Sequence, residues 1–336
     1  MNKFLISCLC WAGLFSFATA RDTLFIGPTH LRVSEDGEIS AAPAQTPKEK
    51  FDQLWAYRYY PADKKLTGKG VTVAVADSGI SSHVEFNGKN IQGQDFTLSS
   101  SIEDLKNHGT SVAGIIGARG VNFQGVAPQA NLIIYKIDDG SRLIGPQAAT
   151  SAVNTVLAYN EANPDKKISV LNLSYGVSNG GYVPLTKAIN RAYETGVVVV
   201  CPAGNLGFPG VHYPANLGTT IAVGALAADG QHAYPNSSYG PEVDFIAPGD
   251  RVYSTANDGG YTLMSGSSAS AGFVSAAAAL AVEGLKKKLG RYPTVPEVKE
   301  SLQAAAVAIP GISALQQGRG LIDVTRLEKQ FFPDKK

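Results

Sequence analysis

Cysteine is scarce in this chain. There are three in 336 residues, and Cys8 and Cys10 both fall within the first ten. If that leader is removed, Cys201 stands alone, and one thiol closes no internal disulfide. It ends the apolar run Gly196-Val197-Val198-Val199-Val200 and reads as a small buried hydrophobe. Excess charge is missing too. The 29 Lys and Arg face 28 Asp and Glu, and Lys3 is the only charged residue among the first twenty, so the remainder is neutral overall. A neutral chain has no sequence-wide attraction for nucleic acid or anionic membrane, and neither partner is expected. The basic run Lys286, Lys287, Lys288 and Arg291 suits a solvated helix end. Beyond the leader no stretch reaches roughly 18 apolar residues, so no membrane anchor is expected. Glycine and proline, at 36 and 18, are too few for a low-complexity chain. A hydrophobic fraction of 44% can fill a real core, which excludes disorder over most of the length.

What is present begins with an address. Met1-Asn2-Lys3, the apolar run Phe4 to Phe17 and Ala18-Thr19-Ala20 follow the pattern of a secretory signal peptide over residues 1–20, cut near Ala20. Export to the periplasm or the medium is the expectation. Residues 21–46 are mixed and polar and read as a flexible arm, too short for a two-layer domain of its own. Regular patterning starts near Phe51-Asp52-Gln53-Leu54-Trp55 and runs through one domain, 47–332, before a short tail, 333–336.

Within that domain two patterns alternate. Apolar β-branched runs predict strands over 71–76, 132–136, 168–173, 197–200 and 221–223. Helical patterns lie between and after them, over 111–116, 146–162, 185–194 and 270–285. Near-continuous apolar strands separated by helices predict an α/β fold with a mostly parallel sheet covered on both faces. Functional residues of such sheets gather outside the carboxyl ends of the strands. Asp77 follows the first strand there, and Asn205 follows the fourth across Pro202-Ala203-Gly204. His108 opens a Gly-studded helix, and the serines of Ser265-Gly266-Ser267-Ser268 open a long Ala-rich one. A hydroxyl becomes a useful nucleophile once an imidazole takes its proton, and the imidazole needs a carboxylate to fix its tautomer.

The wording around these residues resembles the subtilisin-like serine proteases. The aspartate block reads Val73-Ala74-Val75-Ala76-Asp77-Ser78-Gly79, and the histidine block His108-Gly109-Thr110-Ser111-Val112-Ala113-Gly114. Gly125-Val126-Ala127-Pro128, Asn172-Leu173-Ser174-Tyr175-Gly176, Ala203-Gly204-Asn205, Ile246-Ala247-Pro248-Gly249 and Gly318-Arg319-Gly320 follow in order. The resemblance covers roughly residues 50–330, and the chain order Asp, His, Ser is that of subtilisin. It implies a three-layer α/β/α fold with Asp77, His108 and Ser268 as catalytic triad and Asn205 in the oxyanion hole. It also implies that Ser174, Tyr175, Gly176, Ala203 and Gly204 line the substrate channel, with proteins or peptides as substrates and no cofactor in the chemistry. A monomer is expected.

The serine block departs from the family pattern. Gly266-Ser267-Ser268-Ala269-Ser270-Ala271-Gly272-Phe273 keeps the glycine and the serine two places after it, but has Ala, Gly and Phe where the family has Met, Pro and His. Ser265, Ser267 and Ser270 are close alternatives for the nucleophile, and Gly272 inside a helix costs about 1 kcal/mol relative to Ala. This erosion, with the missing prodomain, motivates a rival reading: an exported protein with a decayed cleft that grips peptides without cutting. His212 and His232 read as loop or surface residues. Family members often bind structural calcium in the loop after the histidine helix. Here that loop, Ala118 to Gln124, has no carboxylate, so calcium is not supported and no metal ligand is assigned.

Overall fold

The computed structural model describes residues 55–60, 65–140, 145–178 and 180–333, together with the backbone of 23–26, 29–33 and 39–41. The leader 1–20 lies outside the described residues. The chain divides into two compact units, Met1–Gln45 and Thr46–Lys336. In the first, the segment expected as an irregular arm contains β1 (Thr23–Ile26), β2 (Thr29–Val33) and β3 (Ile39–Ala41), paired antiparallel in that order. Thr23, Ile26, Thr29, Val33 and Ile39 favour extended backbone, a local preference that the polar composition concealed.

In the second unit the central strands are mostly apolar because both faces are covered. β4 (Thr72–Asp77), β7 (Ile168–Leu173), β8 (Val198–Pro202) and β9 (Ile221–Leu226) are buried at every position. With β5 (Gln92–Asp95), β6 (Asn131–Lys136), β10 (Val243–Pro248), β13 (Ala306–Val307) and β14 (Leu321–Ile322) they form a sheet ordered β13-β14-β10-β9-β8-β7-β4-β6-β5. Every pairing is parallel except β13 with β14. β11 (Val252–Thr255) and β12 (Tyr261–Met264) make a separate hairpin.

Alternate residues of each strand feed two cores. Val73, Val75, Val198 and Val200 face a layer holding α1 (Gly109–Gly117), α4 (Ser267–Leu289), α5 (Val295–Ala305) and α7 (Val324–Lys329). Ala74, Ala76, Val197, Val199 and Cys201 face α2 (Gly145–Ala162) and α3 (Val183–Glu194). A short α6 (Ala314–Gln317) completes the helices among the described residues. Cys201 is fully buried on the α2–α3 side, and burial pushes its thiol far above the ordinary range, so it is inert packing.

α4 is the hub. It starts after Gly266, whose φ of 128° favours glycine, and stops at the left-handed Gly290 with Lys286, Lys287 and Lys288 in its last turn. It is long and apolar enough by length and composition to cross a membrane, which the sequence reading did not anticipate, yet 94% of its most apolar window is buried in the protein. Glu283 holds it to the turn feeding β4, accepting from the backbone N–H groups of Thr67 (2.8 Å), Gly68 (2.8 Å) and Lys69 (3.2 Å).

Two glycines of α4 predict opposite outcomes. A Cβ at Gly272 would lie 3.5 Å from Val112 Cγ1 and Ile115 Cγ2 of α1, an ordinary contact, whereas one at Gly284 would lie 2.5 Å from the Phe331 ring. Gly272→Ala should stabilise the protein by about 0.5–1 kcal/mol through its helix propensity, while Gly284→Ala should destabilise it by roughly 1–3 kcal/mol through overpacking. Urea denaturation of the two variants checks this; equal shifts of one sign would contradict the helix packing described.

Candidate active site

β4 ends on Asp77, and α1 begins immediately after His108. The two ends meet because Gly109 has no side chain. A Cβ there would stand 2.2 Å from the Gly79 carbonyl oxygen and 3.2 Å from Asp77 Cβ. With that approach allowed, His108 Nδ1–H donates to Asp77 Oδ1 at 2.6 Å. Asp77 Oδ1 also accepts from the Ser78 N–H (2.7 Å), while its Oδ2 is buried with no partner among the described residues. The carboxylate is sealed, its side chain 2% exposed, but the imidazole is 37% exposed and keeps an open edge. A carboxylate only accepts, so the neutral ring carries its proton on Nδ1 and a lone pair on Nε2.

A second carboxylate lies beneath this pair. Asp104, 1% exposed, accepts from the Thr110 hydroxyl (2.6 Å) and N–H (2.9 Å), the Lys106 N–H (2.9 Å) and the Ser78 hydroxyl (2.8 Å). The Ser78 oxygen in turn accepts from the Gly109 N–H at 2.9 Å. Burial pushes the Asp104 pKa up, but these hydrogen bonds outweigh it and hold it below the usual carboxylate range. The segment carrying it is fastened from outside: Lys136 Nζ donates to the Glu103 carbonyl (2.6 Å) and Asn257 Nδ2 to the Asp104 carbonyl (2.9 Å). At His108, burial lowers the pKa, yet the charge and hydrogen bond of Asp77 and the charge of Asp104 prevail over burial and over Lys106. The ring therefore titrates above its ordinary 6.5.

The serine end is built around Asn205. Its Oδ1 accepts from the Ser267 N–H (2.8 Å) and hydroxyl (3.0 Å), which leaves the amide Nδ2–H₂ of this exposed residue without a hydrogen bond among the described residues. Ser265 is engaged with Arg251 N–H and Asp250, Ser267 with Gly204 and Asn205, and Ser270 with the Ala247 and Pro248 carbonyls. The Ser268 hydroxyl has no hydrogen bond among the described residues, and the residue is 8% exposed. No hydrogen bond links it to His108 in this structure, but their helices touch one turn further on. Val112 of α1 donates its N–H to the His108 carbonyl, and Val112 lies against Gly272, four residues after Ser268.

Of the expected channel residues, Ser174 extends β7 by donating its N–H to the Ala76 carbonyl (3.0 Å), and Gly176 is exposed with no backbone hydrogen bond among the described residues. Ala203 and Gly204 are buried after β8, their carbonyls accepting from the His212 and Ser238 N–H groups (2.9 Å each). His232 is a surface residue, 75% exposed and paired with Asp229. His212 is a loop residue as expected, half-buried, with its ring against Gly176 and Gly204. Asp104 and the bridging Ser78 hydroxyl escaped the sequence reading, because residues 78, 104 and 109–110 meet only in the fold.

A buried carboxylate, an imidazole with one open edge and a serine at the carboxyl edge of a parallel sheet are the arrangement expected of an α/β serine hydrolase. The chain belongs to the subtilase family, whose model matches residues 68–320, and it is a subtilisin-like serine protease. It is 34% identical over 274 residues to the thermostable alkaline protease of Halalkalibacterium halodurans, covering 79% of this chain and 69% of that protein. To subtilisin NAT of Bacillus subtilis subsp. natto it is 35% identical over 301 residues, covering 86% and 73%. The solved prenylagaramide maturation protease PagA superposes with a TM-score of 0.67 at 25% identity, covering 85% of this chain and 99% of that one.

The loop after α1 bears on calcium. The N–H groups of Gly120 (3.0 Å), Val121 (2.8 Å), Asn122 (2.6 Å) and Phe123 (2.6 Å) all donate to the carboxylate of Glu85, as does the Tyr261 hydroxyl (2.8 Å). Glu85 is fully buried. The loop thus turns donors inward, and its one nearby carboxylate is already saturated. These residues do not fit a cation. Chelation with EDTA should leave the melting temperature unchanged, while Glu85→Ala removes the acceptor of four loop N–H groups and the Tyr261 hydroxyl and should cost about 3–5 kcal/mol. A melting temperature that falls on chelation in wild type, but not in Glu85→Ala, would contradict this reading of the loop.

Proposed function

We propose that the chain is an exported endopeptidase that cleaves protein or peptide substrates through an acyl-enzyme on Ser268. The observation that carries this reading is the 2.6 Å contact between the His108 ring and the sealed Asp77 carboxylate. Ser268 Oγ attacks the scissile carbonyl carbon, and its proton passes to His108 Nε2. Asp77 orients the ring and stabilises the imidazolium through Nδ1–H. The Asn205 amide and the Ser268 N–H donate to the oxygen that gains charge. His108 then protonates the leaving amine as the C–N bond breaks, and water releases the acyl group by the reverse sequence. Asp104 is a positioning residue, raising the basicity of the ring from below. The free backbone of Gly176 supports pairing with the substrate as an added strand, which gives affinity with little dependence on sequence. The leader over residues 1–20 supports export.

A fluorophosphonate probe should label wild type and not Ser268→Ala; an unlabelled wild type would favour the rival reading of a peptide-gripping protein without turnover. The general base must be neutral, and the His108 pKa is raised, so kcat/KM should climb with pH through one titration centred above 6.5. Removing a negative neighbour makes the imidazolium easier to deprotonate, so Asp104→Asn should move that midpoint down. A pH-independent rate between about 5 and 8 would exclude His108 as the base. Asn205→Ala should lower kcat by about 10²–10³, the loss known for such a donor in a subtilisin.

A further inference from the structure

The charge of this chain balances in sum but not in place. β4 and β7 are parallel neighbours with Thr72 opposite Ile168, so the turns that feed them lie side by side at the amino edge of the sheet. α4 starts at the carboxyl edge and runs back to the same place, where Glu283 holds the backbone of Thr67, Gly68 and Lys69. Three segments therefore bring cations together: Lys65 and Lys69 before β4, Lys166 and Lys167 before β7, and Lys286 and Lys288 at the end of α4. None of the six pairs with a carboxylate among the described residues. Lys287 and Arg291 are matched by Glu283 (2.5 Å) and Glu297 (2.6 Å). Glu161 and Glu194, at the ends of α2 and α3, and Asp165 before β7 are exposed and offset only half of the unpaired lysines.

Tyr292 fixes part of this patch. Its hydroxyl donates to the Asp165 carbonyl (3.0 Å) and accepts from the Lys167 N–H (3.2 Å). Its ring centroid lies 3.8 Å from the Lys286 ammonium and 6.0 Å from that of Lys167. Two cations gathered around one ring repel each other, and an anion at the surface relieves that repulsion. Leu289 closes α4 beside them, 38% exposed. Lysines, a tyrosine and an exposed leucine suit a lipid interface, where charged tips stay in water while apolar stems and rings settle among the headgroups. A nucleic acid would favour the bidentate fork of arginine, and the fork of Arg291 is filled by Glu297.

The opposite edge leans the other way. Asp95 ends β5, and Asp138, Asp229 and Asp250 lie just beyond β6, β9 and β10. A negatively charged plane thus attracts one edge of the sheet and repels the other, and Ser268 and Leu289 stand about 30 Å apart along α4. We propose that the amino edge is a docking surface for anionic phospholipid. The protein rests on a membrane through these lysines with its Asp77–His108 end turned away and open to substrate. Only the use of that orientation rests on the peptidase reading; the docking itself does not.

Co-sedimentation of the purified protein with vesicles tests this, using phosphatidylcholine alone and phosphatidylcholine mixed with phosphatidylglycerol. The protein should bind the anionic vesicles and not the neutral ones, and should let go as salt rises from about 0.1 M to about 1 M. Replacing Lys167→Gln together with Lys286→Gln should weaken binding about 25-fold, about fivefold for each lysine. Lys167→Arg with Lys286→Arg should keep it. Lys187→Gln removes an exposed charge from the second turn of α3, away from the patch, and should change binding by less than about twofold. Equal binding to both vesicles, or anionic binding that survives the double glutamine substitution, overturns the proposal. So does a loss in Lys187→Gln as large as in the double variant, which would mark an effect of net charge alone. Capture by heparin or DNA without vesicle binding also overturns it, by making the partner a soluble polyanion. Fluorophosphonate labelling is read on the same samples. An unlabelled protein that binds anionic vesicles loses the peptidase reading and keeps this one, and a labelled protein that ignores them does the reverse.

Discussion

The Asp77–His108 pair depends on how closely the first turn of α1 approaches the end of β4. That approach is set by the missing side chain of Gly109, since any Cβ would run into the backbone of Gly79. It delivers the His108 ring to a carboxylate that solvent does not reach, where a hydrogen bond to a charged group is stronger than in water. The same turn places the Gly109 N–H on the Ser78 hydroxyl and the Thr110 N–H on the Asp104 carboxylate, so the helix start is anchored at two points at once. A hydroxyl ladder completes the clamp from the opposite side: Thr255 donates to the Thr110 carbonyl and Ser254 to the Ser111 carbonyl, passing beside the bare Gly114.

Buried carboxylates recur as backbone anchors. Glu85 gathers four N–H groups of the loop after α1, Glu283 three of the turn before β4, and Glu328 that of Leu66 at 2.8 Å. Burying a charge is costly unless its lone pairs are filled, and here the filling groups are the otherwise orphaned amides of tight loops. Each anchor joins segments distant in sequence, so the turn before β4 and the loop after α1 are fixed without disulfides among the described residues.

What was legible in the sequence is what local periodicity encodes. Val73 to Ala76 had to be a doubly covered strand because every residue is apolar, and α4 was legible as a long helix from its Ala-rich run, closed by Lys286, Lys287 and Lys288. β5 was illegible for the converse reason: Gln92-Gly93-Gln94-Asp95 has neither apolar alternation nor branching, and it is a strand because β6 offers it an edge. Asp104 and Glu85 look like ordinary surface acids until the fold brings N–H donors to them. His212 is the loop residue the sequence suggested, and the space its ring fills belongs to Gly176 and Gly204, 36 and 8 residues away. The serines of the 265–270 cluster are indistinguishable by composition, and differ in the structure by which hydroxyls are already engaged.

The proposed base, His108, is held by Asp77, and an NMR titration of its imidazole in the resting protein measures that coupling directly. The ring should titrate above 6.5 in wild type, with a hydrogen-bonded Nδ1 proton, and fall toward or below that value in Asp77→Ala. A ring that titrates at or below 6.5 in wild type, unmoved by loss of the carboxylate, would contradict it.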